Sequence, residues 1–322
     1  MHRRTVLQTT GALTVATGVG LAGCLDVFES GSSDSAAAWL VDPSHLDADY
    51  YHAGIQSTAA VAADLAEIDD RADEVIDAQL APGFELSRPD PRGITRRVTG
   101  GQGFGDGFEV VTGEFDQEAL EEDLQAVGFE ADGEYDGYTL YHDGIENAGT
   151  DDAVDASAAR RAYAVEADAI VRAEVEDPVS LLESVIDTAA GEATGYADVN
   201  EDFERLLGLA DERMATVGLY DRVEETNPEG GPLAGSIGQA STTRFDEPNT
   251  TITNHVLFED EDDIDEAEVE DVYDTQEERA QSQIDDLDVD EDIEYAVDDI
   301  TVDGRVVSVE QRLTTEFYFL GA

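Results

Sequence analysis

The sequence predicts an α+β fold made of two β-α-β-β-type units, with antiparallel sheets and with helices packed on one face. Two Asp-Gly pairs, Asp136-Gly137 and Asp303-Gly304, each separate two runs in which apolar and polar residues alternate, the pattern of a β-hairpin. Each hairpin follows a strand pattern and a helix pattern in the same order. The chain is 41% hydrophobic and contains 11 Tyr and 11 Phe, which is enough to form a core.

The first unit begins with a predicted strand at 108–113. Asp116 has the side chain of a helix cap, and Gly128 suits the left-handed position that ends a helix. Residues 129–135 and 138–142 then alternate as the two strands of a hairpin.

The second unit repeats this order with a different composition. A strand is predicted at 251–258 and an acidic helix at 264–283, followed by hairpin strands at 293–302 and 305–313. The shared order suggests two related units, although few residues are identical between them.

The other elements and the domain limits follow from shorter patterns. Further elements are predicted as a strand at 37–41, a helix over 46–80, a turn-rich segment with a glycine run at 100–107, a strand or strand pair at 162–175, a helix capped by Asp177-Pro178, and a short helix at 202–209. The predicted organisation is a signal peptide at 1–23, a lipidated cysteine and tether at 24–36, and α+β domains at 37–212 and 213–322.

The N-terminal segment has the pattern of an export signal. Arg3 and Arg4 precede an uncharged, mildly apolar stretch that ends Leu21-Ala22-Gly23-Cys24, as in a lipobox. Cys24 is the only cysteine, so the mature chain contains no disulfide and no cysteine nucleophile. We expect cleavage before Cys24 and a double-chain lipid on it, because one acyl chain anchors a protein only marginally. The alternative is an uncleaved anchor helix with a chance cysteine.

The charge is the most extreme feature of the composition. Against 77 Asp and Glu stand 17 basic residues, a formal net charge of -60, and every basic residue is Arg. Removing Arg3 and Arg4 with the signal takes the mature chain to -62. Such self-repulsion opposes folding at low salt and is screened in molar salt, so the composition indicates a halophile's acidic surface. An acidic disordered chain is the alternative, and the hydrophobic content argues against it.

The same charge limits the partners. Nucleic-acid binding requires a basic footprint, and the chain offers only Arg96-Arg97 and Arg160-Arg161, which are better explained as counter-charges for nearby carboxylates. The expected partners are the membrane, through lipid on Cys24, and hydrated cations over the acidic surface. The sequence identifies no protein partner and no cofactor.

Two segments carry a resemblance to a known group of proteins. Residues 110–116 (VVTGEFD) and 133–141 (GEYDGYTLY), together with the arginine pair, resemble haloarchaeal lipoproteins exported by the twin-arginine route. The resemblance implies a location in the cell envelope, on the extracellular face of the membrane. That group has no known reaction, so it provides no functional residues.

Several motifs approach catalytic or binding patterns. The glycine run at 100–107 lacks the preceding strand and following helix of a dinucleotide fingerprint, so a flexible loop is expected. Ser236 lies in Ala-Gly-Ser-Ile-Gly, close to a nucleophile elbow, with His255 downstream. Asp198, Asn200 and Asp202 have the spacing that opens a calcium loop, without its glycine and its final Glu, and helix capping is the better explanation.

Histidines, acidic runs and a sequon complete the candidates. His45 and His52 would lie about 10 Å apart on one helix, too far for one metal ion without another ligand. The acidic runs at 259–263 and 285–292 are expected to be solvated faces. Asn249-Thr250-Thr251 is a possible N-glycosylation site.

No convergent catalytic group stands out, so the leading hypothesis is a non-enzymatic, lipid-anchored module for interaction or envelope upkeep. A solute-binding lipoprotein of a transporter is the alternative, and a secreted hydrolase based on Ser236 is a weaker one.

Overall fold

The computed structural model describes residues 35–66, 94–103, 106–143, 160–211, 213–226, 233–246, 248–286, 293–315 and 318. Within them the chain is a mixed α+β fold with one large antiparallel sheet and few helices. The strands are β1 His52–Gln56, β2 Ile94–Gly103, β3 Asp106–Gly113, β4 Glu130–Tyr135, β5 Tyr138–His142, β6 Arg160–Val165, β7 Ala169–Val175, β8 Met214–Leu219, β9 Ser236–Asp246, β10 Asn249–Phe258, β11 Tyr295–Asp303 and β12 Val306–Thr314.

The sheet has 12 strands in the order β11-β12-β10-β9-β8-β1-β2-β3-β7-β6-β5-β4. Strand β1 pairs with both β2 and β8, and this central pairing joins the strands before residue 212 to those after it. The division into domains at 212 and 213 remains a prediction. Strands from both sides of this division belong to the same sheet.

Six α-helices and three short 3-10 turns accompany the sheet in the described residues. The helices are α1 Thr58–Ala66, α2 Gln117–Ala126, α3 Pro178–Ala189, α4 Tyr196–Val199, α5 Glu201–Leu209 and α6 Glu266–Asp286. The 3-10 turns are Ala36–Trp39, Pro43–Leu46 and Glu261–Asp263.

Helices lie on both faces of the sheet, which corrects the prediction of one covered face. Val110 packs in a central core with α3, α4 and α5, whereas its neighbour Val111 packs with α2. Val306 belongs to the same central core, and Val307 packs with α6. Because consecutive strand residues point to opposite faces, α2 and α6 cover the two ends of the face opposite α3 to α5. The cause is that these strands are apolar on both sides.

The local signals for turns and caps are confirmed. Asp136 and Gly137 have φ of 43° and 93°, as a two-residue hairpin turn requires. Asp116 accepts a hydrogen bond from the N–H of Ala119 at the start of α2, and Gly128 after that helix has φ of 99°.

The predicted helix over 46–80 is wrong in its first part. Residues 43–46 form a 3-10 turn, 52–56 form β1, and α1 begins only at Thr58; the rest of the prediction, 67–80, lies outside the described residues. Hydrogen bonding to two neighbouring strands outweighs the local helical spacing here. The strand predicted at 37–41 is a 3-10 turn followed by a single bridge between Val41 and Gly195.

The glycine run is also different from its prediction. Gly100 and Gly101 lie inside β2 and Gly107 inside β3, so the described parts of the run are paired strands instead of a flexible loop, and residues 104 and 105 lie outside the described residues. A side chain at Gly100 would collide with the rings of Phe108 and Tyr51. The glycines are therefore required by packing around the central strands.

Gly107→Ala is expected to lower the free energy of unfolding by more than about 2 kcal/mol. Gly107 has φ of 147°, and an added Cβ would stand 2.0 Å from the carbonyl oxygen of Gly100, a backbone atom that cannot move aside cheaply. Gly208→Ala is the control, because nothing lies within 4 Å of that position and alanine favours the helix. Urea denaturation in molar KCl compares the two variants, and equal stabilities would contradict the prediction.

Candidate functional site

A groove of about 820 Å³ opens at one end of the strands, where β2, β5 and β7 begin and β1, β3 and β6 end. The C-terminal end of α3 and the first 3-10 turn close its sides. The described residues that line it are Trp39, Ser57, Thr95, Arg96, Thr112, Gly113, Asp136, Tyr138, Glu166, Asp168, Ile186, Ala189 and Ala190.

Three of these residues are carboxylates held on two tight turns. Asp136 lies in the β4–β5 turn, and Glu166 and Asp168 lie in the β6–β7 turn. The second turn is fixed to β3, because the N–H of Gly113 donates to the carbonyl of Asp168 at 2.9 Å. The carboxyl of Glu166 lies over the first turn, since a Cβ at Gly137 would be 3.6 Å from its Oε1.

Burial and neighbouring charge shape the protonation of this cluster. Burial, and then the charge of Asp168, raise the pKa of Glu166, while a hydrogen bond from Tyr138 acts in the opposite direction. Burial and the carboxyls of Glu166 and Asp168 raise the pKa of Tyr138 far above its ordinary range. Tyr138 is therefore protonated at neutral pH and can donate to Glu166.

Trp39 is the only tryptophan of the chain and lies in the groove wall. It is 3% exposed, and its indole Nε1 is buried without an acceptor among the described residues. Trp39 therefore closes the groove wall with a buried ring whose N–H is turned away from the open space.

Helix α3 forms the wall opposite the two turns. Tyr135 on β4 donates to Asp187 of α3 at 2.7 Å, and this bond raises the pKa of Tyr135 to about 12. The C-terminal end of α3, which is the partially negative end of the helix, lies at the groove beside Ala189 and Ala190. The helix end and the carboxylates therefore give this groove a negative potential.

Ser236 does not have the surroundings of a nucleophile. It is fully buried, its Oγ donates to the carbonyl of Leu233 at 2.6 Å, and it accepts from Tyr220 at 3.1 Å. His255 lies opposite Ala240, roughly 13 Å further along β9 from Ser236, and its Nδ1 is bonded to another serine on β12. The structure therefore does not bring the predicted serine and histidine together.

The calcium-like spacing is a helix-capping arrangement. Asn200 accepts from backbone N–H groups at the start of α5, and Asp198 accepts from Gly195 at 3.0 Å. Asp202 binds Arg305. All three side chains have structural partners, which supports the capping explanation.

The sequence predicts His45 and His52 on one helix, and the structure shows that this prediction is wrong. His45 lies at the end of a 3-10 turn, 3.1 Å from Ser184 of α3, whereas His52 begins β1 and covers Gly218. Over the ranges that the structure describes, no three His, Asp or Glu side chains converge on a metal position.

The acidic runs and the N-terminal motifs complete the predicted positions. Glu259 and Asp263 hold Arg222 in ion pairs of 2.8 and 2.9 Å, so part of the first run is structural, and 287–292 of the second lie outside the described residues. Asn249 is half-buried at the start of β10, next to the β9–β10 turn. Arg3, Arg4 and Leu21 to Cys24 lie outside the described residues. No described helix is long and apolar enough to span a bilayer.

Sequence reasoning did not identify the groove. Its residues come from the 3-10 turn, the start of β2, two hairpin turns and the end of α3, which are far apart in the chain. Their only sequence signal is that Trp39 is unique.

Comparison with known proteins gives only a distant similarity. No protein-family model matches the chain, and no curated protein does. Crystal form III of TP0453 has a TM-score of 0.45 at 9% identity, covering 87% of this chain and 94% of that one. Crystal form I has a TM-score of 0.45 at 8% identity, covering 88% of this chain and 94% of that one. Crystal form IV has a TM-score of 0.42 at 10% identity, covering 88% of this chain and 97% of that one. At these values nothing follows for the function of this chain.

Proposed function

We propose that this chain is a lipid-anchored protein of the extracellular face of the membrane that binds a small solute in the groove beside Trp39, without catalysis. The observation that carries the proposal is the groove, in which carboxylates and hydroxyls line a space of small-molecule size. It favours the solute-binding alternative over a purely structural envelope module.

The anchor rests on the N-terminal sequence and on where the fold begins. Ser35, the first described residue, caps the 3-10 turn that contains Trp39. Ten residues, 25–34, separate Cys24 from it, and when extended they span at most about 35 Å. The sequence of the tether is acidic, which disfavours attraction to anionic lipid, so we attribute the attachment to lipid on Cys24.

The predicted repeat belongs to the same proposal. The orders β3-α2-β4-β5 and β10-α6-β11-β12 support two related units. Their pairing differs, since β12 joins β10 directly while β5 joins β6. The groove lies within the first of them and its neighbouring strands, so the proposed binding does not need a cleft between the units.

Cys24→Ser is expected to abolish the lipid-modified membrane form and leave the protein in the medium or as unprocessed precursor. Mass spectrometry of the mature N-terminus measures this outcome, because only a thiol at the cleavage site accepts the lipid. The matched control is Cys24→Ser combined with Ser32→Cys, which restores a thiol outside the lipobox and should also lack lipid. An unmodified Cys24 in the membrane-bound natural protein would show that the anchor is something else.

A further inference from the structure

We infer that the groove beside Trp39 selects a small hydroxylated organic cation, such as an amino sugar or amino alcohol. This inference rests on the proposed binding function and names the class of its ligand. It follows from the charge of the groove, from the position of its carboxylates and from its hydroxyl groups.

The charge of the groove favours a cation. Among the described residues that line it, Asp136, Glu166 and Asp168 contribute three negative charges and Arg96 one positive charge. The C-terminal end of α3 adds the partial negative charge of a helix terminus. An anionic ligand would be repelled from both sides of the groove.

The spread of the carboxylates favours an organic cation over a metal ion. Metal binding requires three or more ligands around one point, and within the described residues these side chains do not meet that condition. The two turns lie side by side, because Glu166 Oε1 lies over Gly137, and together they face the end of α3 across a space that accepts a group larger than a metal ion. An ammonium group has several N–H donors that separate carboxylates can share.

The remaining lining groups favour hydroxyls on the ligand. Ser57, Thr95 and Thr112 line the groove, and Thr95 Oγ1 lies 3.0 Å from Thr112 Oγ1 in a pair that still has acceptor capacity. Trp39 closes one wall of the groove beside these hydroxyls. A molecule with one amine and several hydroxyls matches both halves of this lining.

Three sugars of matched size test the inference on the full mature chain in molar KCl at constant ionic strength. Glucosamine is the cation, glucose the neutral analogue and glucuronate the anion, at about pH 6, where the amine is protonated. Trp39 is the only tryptophan, so its fluorescence reports on the groove without interference from a second indole. Calorimetry measures the same binding independently. We expect glucosamine to bind at least about tenfold more tightly than glucose, and glucuronate more weakly still.

Variants locate the selectivity. Glu166→Gln and Asp168→Asn are each expected to weaken glucosamine binding about tenfold and glucose binding by much less, so that the preference for the cation falls. Glu270→Gln, which removes the same charge from an exposed position on α6, is the control and should bind like the natural protein. Circular dichroism and the emission maximum of Trp39 check that each variant is folded, and using two groove variants keeps the test valid if one of them is not.

The outcomes separate this inference from the proposed function. If glucose binds as tightly as glucosamine and the groove variants have no effect, the groove binds solutes but does not select cations, and the inference is overturned alone. If none of the three sugars binds by fluorescence or calorimetry, the ligand class is wrong. The lipid anchor is decided separately by the mass of the mature N-terminus.

Discussion

Transfer from molar to about 0.05 M KCl is expected to unfold the chain reversibly. The Debye length of the solution then grows from roughly 3 Å to more than about 10 Å, so charges on the chain are screened from one another far less. The chain has a formal net charge of -60, so many like-charge pairs then repel one another at once. A domain is stable by only about 5–15 kcal/mol, which this repulsion exceeds. Trp39, buried in the folded chain at 3% exposure, reports the transition through a red shift of its emission.

The control for this prediction is a different way of weakening the repulsion. Moving the pH toward the sequence pI of about 4.1 protonates carboxylates and should recover structure at low salt, although it also promotes precipitation. A melting midpoint that is the same in low and in molar KCl would show that the acidity is not an adaptation to salt.

Local chemistry made half of the sheet predictable from sequence. Asp136-Gly137 specifies a hairpin turn, and Asp116 and Asp177 specify helix starts, within a few residues of chain. Strands β3, β4, β5, β10, β11 and β12 lie next to such signals, and the structure has them where they were predicted to within about two residues.

The central strands could not be predicted because their stability is not local. β1 is five residues long and includes Ala53 and Gly54, and the last four residues of β2 include three glycines, so β1 and the end of β2 lack the composition typical of a strand. Both form because β1 pairs on each side and because Gly100 leaves room for Tyr51 and Phe108. Such pairing is visible only when the whole sheet is assembled.

The groove was unpredictable for a related reason. Asp136 and Glu166 are ordinary turn residues in a chain with 77 acids, and nothing in their neighbours sets them apart. Antiparallel pairing of β5 with β6 brings their turns to the same end of the sheet. The groove can therefore be recognised only once the strand order is known, and local sequence patterns did not predict that order.

A buried charge ladder crosses the central strands on the face opposite the main core. Glu109 on β3 lies directly opposite Arg172 on β7 and accepts from Arg97 Nε at 2.5 Å. Its side chain is 7% exposed, against 26% for Arg97 and 21% for Arg172. Arg172 also pairs with Glu174, so the loss of Glu109 is expected to affect Arg97 more than Arg172.

Glu109→Ala is expected to lower the free energy of unfolding by about 3 kcal/mol, because it leaves two partly buried guanidinium groups without the carboxylate between them. Glu109→Gln retains the shape and one acceptor and should cost about half as much. The loss should persist in molar KCl, since salt screens buried pairs far less than surface charges.

Glu268→Ala makes the same change in net charge at an exposed position of α6, where substitution costs less than about 0.5 kcal/mol. Urea denaturation of both variants in molar KCl makes the comparison without adding a charged denaturant. If Glu109→Ala is as stable as Glu268→Ala, the ladder contributes nothing to the sheet, and the close contacts between β2, β3 and β7 are held by backbone pairing alone.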